Sequence, residues 1–182
     1  MSRVFPLAVI AALALPVLAL AALVGQQELL LARARTLSVP LTGYDPRDLL
    51  QGHYLLAQLD WSWEREPSAE EYGGSEGALC VLTDAPKPRV RFLAGWKAGD
   101  RTDADCILVI VGRGRRAPAR FAPTGLDTGD GLVQFYVPET RASELEQLTR
   151  DRPGALTADL AVRADGGAAI KALRVDGKAL GR

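Results

Sequence analysis

The sequence predicts a mainly β fold, a small antiparallel β barrel or sandwich with one short helix, preceded by a single N-terminal transmembrane helix. Three observations carry that prediction. The chain opens with an apolar run, Val4 to Val24, that holds no charged residue and approaches the ~20 residues a helix needs to cross a bilayer core. Beyond it, apolar residues come in short runs of strand length, separated by turn dipeptides such as Asp45-Pro46, Gln51-Gly52, Gly73-Gly74 and Asp176-Gly177. One later stretch, Glu139 to Arg150, sets Leu145 and Leu148 at helical spacing, with Ser143 and Glu146 as a capping box and Arg152-Pro153-Gly154 as the stop.

The apolar run is expected to stay in the protein as an anchor. Pro6 lies where a helix start tolerates proline, and Pro16 kinks the span without forbidding it. The alternative is a cleaved signal peptide, with Arg3 as its basic end and Ala19-Leu20-Ala21 as the small-residue cleavage site. The run continues past that site into Gln26 to Arg35, which reads as a helix emerging into the interface, so residues 1–35 are assigned as anchor and stem. Residues 36–182 are assigned as one extracytoplasmic β-rich domain. Arg33 and Arg35 behind the span compete with Arg3 before it in setting orientation, while the signal-like start and the lack of a second span favour an outside domain.

Charge narrows the partners. Lys and Arg number 22, and Asp and Glu also number 22, so no net field draws the chain to nucleic acid, whose binding is dominated by phosphate neutralisation. No cofactor and no metal site is indicated. The two cysteines, Cys80 and Cys106, are too few for a disulfide scaffold and form no Cys-x-x-Cys pair. Cys80 lies inside the run Ala78 to Thr83 and Cys106 opens the run Cys106 to Val111. If those strands are neighbours in an oxidising compartment a disulfide closes; two buried thiols packed as small hydrophobes are the alternative.

Element by element, Leu55, Ala57, Leu59, Trp61 and Trp63 form an apolar face opposite Leu56, Gln58, Asp60, Ser62 and Glu64 as one half-buried strand. Glu64 to Gly77 is acidic and without period, an exposed loop. Ala78 to Thr83 and Val90 to Ala94 flank Asp84 to Arg89 as a hairpin, and Cys106 to Val111 is hydrophobic enough for a central strand, ended by Gly112 to Pro118. Arg120 to Pro123 reads as an edge strand and Leu132 to Val137 as a strand closed by Pro138. Leu156 to Arg163 and Ala168 to Val175 surround an Asp165-Gly166-Gly167 hairpin signal. The total is about six to eight strands, a small mostly antiparallel fold.

The densest local specification is Asp45-Pro46-Arg47-Asp48, then Gly52-His53-Tyr54, a turn that hands directly into a strand. Gly52 is expected to take a positive φ there. His53 is the sole histidine, and beside Asp45 or Asp48 it forms the one arrangement from which a hydrolase is conceivable, although no nucleophile motif accompanies it. A hydrogen-bonded turn residue is the simpler reading of His53, and local backbone capping that of Asp45 and Asp48, with Arg47 paired to one of them. Arg113, Arg115 and Arg116 form a basic cluster in a Gly-rich segment, suited either to anionic headgroups or to a solvated turn.

The block Asp45 to Leu56, together with Phe135-Tyr136-Val137-Pro138-Glu139, resembles the bacterial GDYXXLXY family. The layout agrees: a hydrophobic span, the block, the Val137-Pro138-Glu139 segment leading into a short helix, and a terminal strand pair ending near Val175-Asp176-Gly177. His53 stands where the signature has Asp, and its final Tyr has no counterpart. The resemblance implies a small membrane-anchored protein whose function is not known, often encoded beside polytopic membrane proteins, and it supplies no catalytic residues. The expected function is therefore a non-enzymatic interaction module for a membrane partner, with the domain on the periplasmic side of the inner membrane. The alternatives are a ligand-binding or sensor domain with a cavity beneath Trp61 and Trp63, or a tethered hydrolase using His53 with Asp45 or Asp48.

Overall fold

The computed structural model describes residues 4–43, 54–68, 70–71, 76–84, 86–97, 100, 104–115, 120–126, 131–136, 144–145, 147–148, 151–152 and 154–180, with the side chains of 4–11, 43, 54–55, 115 and 136 left aside. It divides into two compact units, Met1–Ala34 and Arg35–Arg182. The first is α1, Val4–Arg33, with Pro16 inside it. Leu13, Leu18, Leu20 and Leu29 are each more than half exposed, so the helix is apolar around its circumference with no protein core of its own, a surface suited to lipid. Over Ala12–Arg33 it is long and apolar enough to cross a membrane.

The second unit is mainly β, as the sequence predicts, with eleven strands among the described residues. One sheet of six runs in the order β11-β10-β9-β1-β2-β8, from β1 (Arg35–Gly43), β2 (Tyr54–Leu59), β8 (Val133–Tyr136), β9 (Leu156–Val162), β10 (Ala168–Val175) and β11 (Lys178–Ala179). A sheet of five, β3-β5-β4-β6-β7, holds β3 (Ser62–Trp63), β4 (Glu76–Thr83), β5 (Arg89–Ala94), β6 (Leu108–Arg115) and β7 (Arg120–Pro123). Pairing is antiparallel apart from β3 alongside β5. Leu37, Val39 and Leu41 from β1, Leu160 from β9, Leu79 and Val81 from β4, Ile110 from β6 and Phe121 from β7 meet in a single buried cluster between the sheets, each fully buried side chain stabilising the fold by roughly 1.5–3 kcal/mol.

The sequence reading left residues 38–41 unassigned and put Arg35 in a stem; both belong to β1, an interior strand of the larger sheet. Pro40 is what hides it, since proline is ordinarily confined to strand edges. Here β1 changes neighbour along its length, pairing with β9 from Arg35 to Pro40 and with β2 from Leu41 to Gly43. The Pro40 carbonyl accepts from the Asp60 amide at 2.9 Å, so the Pro40 nitrogen also points toward the β2 side. That is where the β2 ladder ends, and the missing N–H interrupts no pairing with β9.

Two further expectations change. The alternating run from Leu55 to Trp63 is not one strand: β2 stops at Leu59, and Ser62-Trp63 joins the other sheet, with the Ser62 amide donating to the Pro88 carbonyl and the Glu64 amide to Val90, both at 2.9 Å. Alternation survives the break because Leu59 and Trp61 turn to the same core from either side of it. Likewise Gly112 does not end β6, which runs on to Arg115. A Cβ at Gly112 would lie 2.5 Å from the Phe121 ring, so glycine lets β7 close onto β6 and continues the strand. Arg113 and Arg115 are thus strand residues, while Arg116 lies outside the described residues.

Hairpins are where sequence and structure agree most closely. β4 and β5 pair as expected, and β9 and β10 turn at residues 163–167, where the Arg163 carbonyl accepts from the Gly166 amide at 3.0 Å. Gly166 has φ 84°, and its carbonyl accepts from the Val111 amide at 2.8 Å. An added Cβ would lie 2.5 Å from Val111 Cγ2. This tip therefore needs glycine both for its turn and for docking the larger sheet onto β6. The expected helix is seen as helical residues at 144–145, 147–148 and 151, with Leu145 fully buried; Ser143 and Glu146 lie outside the described residues.

Candidate functional site

Antiparallel register decides which segments share an end of the larger sheet. Tyr54, the first residue of β2, is opposite Tyr136, the last of β8. β1 runs toward that end and finishes at Gly43, opposite Ala57. Residues 44–53 therefore connect the end of β1 to the start of β2, and the chain beyond Tyr136 leaves from beside the point where they rejoin the sheet. Asp45, Pro46, Arg47, Asp48, Gly52 and His53 lie outside the described residues, and Tyr54 is placed by its backbone alone. What the fold establishes is that the two halves of the signature, far apart in sequence, attach to neighbouring strand ends. At the same end β9 begins and β10 finishes, Val175 opposite Leu156. There Arg152 Nη1 pairs with Asp176 Oδ2 at 3.1 Å, and the Asp176 amide donates to the Ala155 carbonyl at 2.9 Å.

A polar cluster that the sequence reading missed lies on the outer face of the same sheet. Leu156, Ala158, Leu160 and Val162 of β9 point into the core, so Asp159 points away from it, yet Asp159 is only 2% exposed. Register puts Ser38 opposite, and its Oγ donates to Asp159 Oδ1 at 2.6 Å. Arg174 Nε donates to Oδ2 at 2.6 Å, and Arg174 Nη1 to the Gly177 carbonyl at 3.2 Å. Both carboxylate oxygens are thus occupied by charge-assisted or short hydrogen bonds. The sequence signal was an aspartate in mid-strand between apolar neighbours; its partners could not be named without the pairing. The cluster ties β1, β9 and β10 together.

In the smaller sheet Cys80 and Cys106 are bonded, their Cα atoms 5.3 Å apart. Cys80 of β4 points away from the core between Leu79 and Val81, which face it, and the Ile107 amide donates to the Val81 carbonyl at 2.9 Å, holding Cys106 alongside. Trp61 is a core residue rather than the lining of a groove: it is 5% exposed, and its Nε1 donates to the Phe121 carbonyl at 3.4 Å.

Carboxylates with depressed pKa values are surface features. Arg65 donates to Glu71 at 2.7 Å and the Ser68 amide to the same carboxylate at 2.8 Å, which together hold Glu71 down at about 2. The Glu71 amide in turn donates to Ser68 Oγ at 3.3 Å, a reciprocal Ser68–Glu71 pair that closes a turn inside the stretch read as an exposed loop. Glu64 is lowered chiefly by the Arg91 hydrogen bond, and Asp165 by the Gly167 amide and then Arg163. Exposed pairs of this kind are screened by solvent and add little to stability. Among the described residues no group of three His, Cys, Asp or Glu side chains is placed to hold a metal ion.

No curated protein and no solved structure matches the chain. The model of the GDYXXLXY protein family matches residues 16–173, from the middle of α1 through both halves of the signature to Leu173 in β10. With most of its length covered by that match, the chain belongs to the GDYXXLXY family.

Proposed function

We propose that this protein is a single-pass inner-membrane protein whose β domain lies on the periplasmic side and binds a membrane partner without catalysing a reaction. The observation that carries the proposal is the Cys80–Cys106 bond in a chain that also bears an apolar helix long enough to span a bilayer. Disulfides persist in oxidising compartments and are rare in the reducing cytosol, so the bond favours an outside domain where the arginines behind the span are ambiguous. Binding, in place of catalysis, is favoured by the chemistry of two described polar clusters, in which Asp159 is held by Ser38 and Arg174 and Glu64 by Arg91, so that these carboxylates are poorly placed to act as bases. The partner that fits is a polytopic membrane protein, since an anchored domain searches the bilayer plane at high effective concentration.

Two measurements test this. A periplasm-dependent reporter fused after residue 182 should be active, and thiol labelling of the denatured, unreduced protein should find no free thiol; an inactive reporter with two reactive thiols would reverse the orientation. Affinity capture from detergent-solubilised membranes should recover one polytopic protein reproducibly. Failure to do so, combined with a hydrolytic activity abolished by His53→Ala, would replace the binding role with the enzymatic one. Mass analysis should show that the N-terminus keeps residue 1 or 2, and a new terminus at Ala22 would convert the anchor into a signal peptide.

A further inference from the structure

The two sheets end in four edge strands among the described residues, β11 and β8 on the larger sheet and β3 and β7 on the smaller. An edge strand presents unpaired N–H and C=O groups that recruit a further strand unless charge, proline, a bulge or shortness prevents it. Three of these four carry such a safeguard. β11 has two residues, one of them the exposed Lys178, and β10 behind it bulges between Ile170 and Ala172 around the exposed Lys171. β3 also has two residues. β7 runs from Arg120 to Pro123, and its Phe121 carbonyl accepts from Trp61 Nε1 at 3.4 Å. β8 has none of these devices. Its four residues, Val133–Tyr136, include no charge and no proline, pair with β2 without a register shift, and make no other backbone hydrogen bond among the described residues.

The strand is also held firmly. Val133 and Phe135 are 1% and 3% exposed in the core between the sheets, and Gln134 between them points to the outer face, half-buried. We propose that β8 is a docking edge to which an extended, uncharged segment of the protein's partner adds as a further strand of the larger sheet. The proposal rests on the binding role given above and names its surface. Backbone hydrogen bonds supply the affinity and side chains set the pattern, with apolar residues beside Val133 and Phe135 and neutral polar ones beside Gln134. A charged segment is disfavoured, because β8 offers no counter-charge. A second folded copy of this chain is a poorer occupant. Four residues give a strip about 13 Å long and one strand wide, far short of the ~800 Å² per partner of a standard interface between folded proteins, whereas an extended segment needs no more than such a strip.

Hydrogen exchange of the full chain in detergent, resolved by NMR, reads the edge first. Alternate amides of an edge strand bond its neighbour and those between them point away, so within Val133–Tyr136 the outward amides should exchange about a hundredfold faster than the inward ones. Protection of every amide there would mean a covered edge and would overturn the site. Gln134→Lys then puts a charge on the strand's outer face while Val133 and Phe135 keep their places in the core. With the melting temperature and the Cys80–Cys106 bond unchanged, capture from detergent-solubilised membranes should recover the wild type's polytopic partner about tenfold less well. Ala179→Lys on the opposite edge should recover it as the wild type does. A photoreactive side chain at position 134 should cross-link to an extended, uncharged segment of that partner. Equal recovery by both variants, or cross-links to a charged or helical segment, sinks the edge and leaves the binding role standing. Cross-links to a second copy of this chain alone would replace the proposed occupant with self-association. A wild type that captures no partner removes the binding role, and the docking edge goes with it.

Discussion

The two sheets of the β domain each bury a chemically distinctive group on the side turned away from the shared core, and they secure it in opposite ways. In the six-stranded sheet Asp159 joins β1, β9 and β10 through hydrogen bonds to Ser38 and Arg174. In the five-stranded sheet Cys80 joins β4 to the residue pair ahead of β6 through a covalent bond to Cys106. One staple depends on charge and can form in any compartment; the other depends on an oxidant. In the larger sheet the staple lies within the β1–β9 pairing, just ahead of the change of neighbour at Pro40, whereas β4 pairs with β6 from Glu76 to Val81 and with β5 through a register shift between Val81 and Thr83. The polar cluster thus links three strands already paired side by side, while the covalent bond fixes the long connection between β4 and β6.

Breaking the covalent staple should have the largest effect. With 26 residues separating the cysteines, the chain-entropy relation gives about 3.5 kcal/mol of stabilisation at 25 °C. Thermal unfolding in detergent should show that loss for Cys80→Ser with Cys106→Ser, and the wild type in reductant should match the double variant. Asp159→Ala comes next, at about 2–3 kcal/mol, because it leaves Arg174 without its carboxylate and removes two hydrogen bonds involving a charged group. Combined with the cysteine changes it should add to within about 0.5 kcal/mol; a large departure from additivity in urea titrations would mean that the two sheets do not carry independent staples. Ser38→Ala should cost about 1 kcal/mol, one hydrogen bond to a carboxylate that keeps its arginine.

Acid should act weakly and on the surface. Asp165 has its folded pKa depressed below the ordinary 3.8 by the Gly167 amide and Arg163. Its contribution is therefore complete above the unfolded value and lost as pH falls through the folded one. Because Asp165 is largely exposed the stability change should be slight, visible as a chemical-shift titration of the 163–167 turn below pH 3.8 with little change in the melting temperature. A melting temperature that dropped steeply in that window and was insensitive to Asp165→Asn would place the acid-labile group elsewhere.

Short-range chemistry made much of this fold legible. Asp165-Gly166-Gly167 and Asp176-Gly177 mark turns because they favour backbone conformations that ordinary residues avoid; the first joins the two expected strands, and the second joins β10 to β11, a two-residue strand the sequence did not show. The β4–β5 hairpin and the edge strand β7 follow from apolar runs bounded by prolines and charges. Eleven strands among the described residues, instead of about six to eight, reflect what such signals omit: two-residue strands defined only by their neighbours, and a run divided between sheets. The Gly52 turn and the roles of Asp45, Asp48 and His53 belong to residues outside those described; what the register fixes is that Tyr54 and Tyr136 lie opposite one another at one end of the larger sheet.

By itself the sequence determined the apolar helix, the predominance of β structure and the local turns, since each depends on residues within a few positions of one another. Tertiary structure alone decided that a proline-containing segment becomes an interior strand, that Gly112 continues a strand rather than ending it, that Cys80 meets Cys106, and that Asp159 finds Ser38 and Arg174. In every one of these cases the deciding partner is distant along the chain. Hydrogen-bond satisfaction and close packing are settled between strands, and no periodicity within one strand records which neighbour will lie beside it.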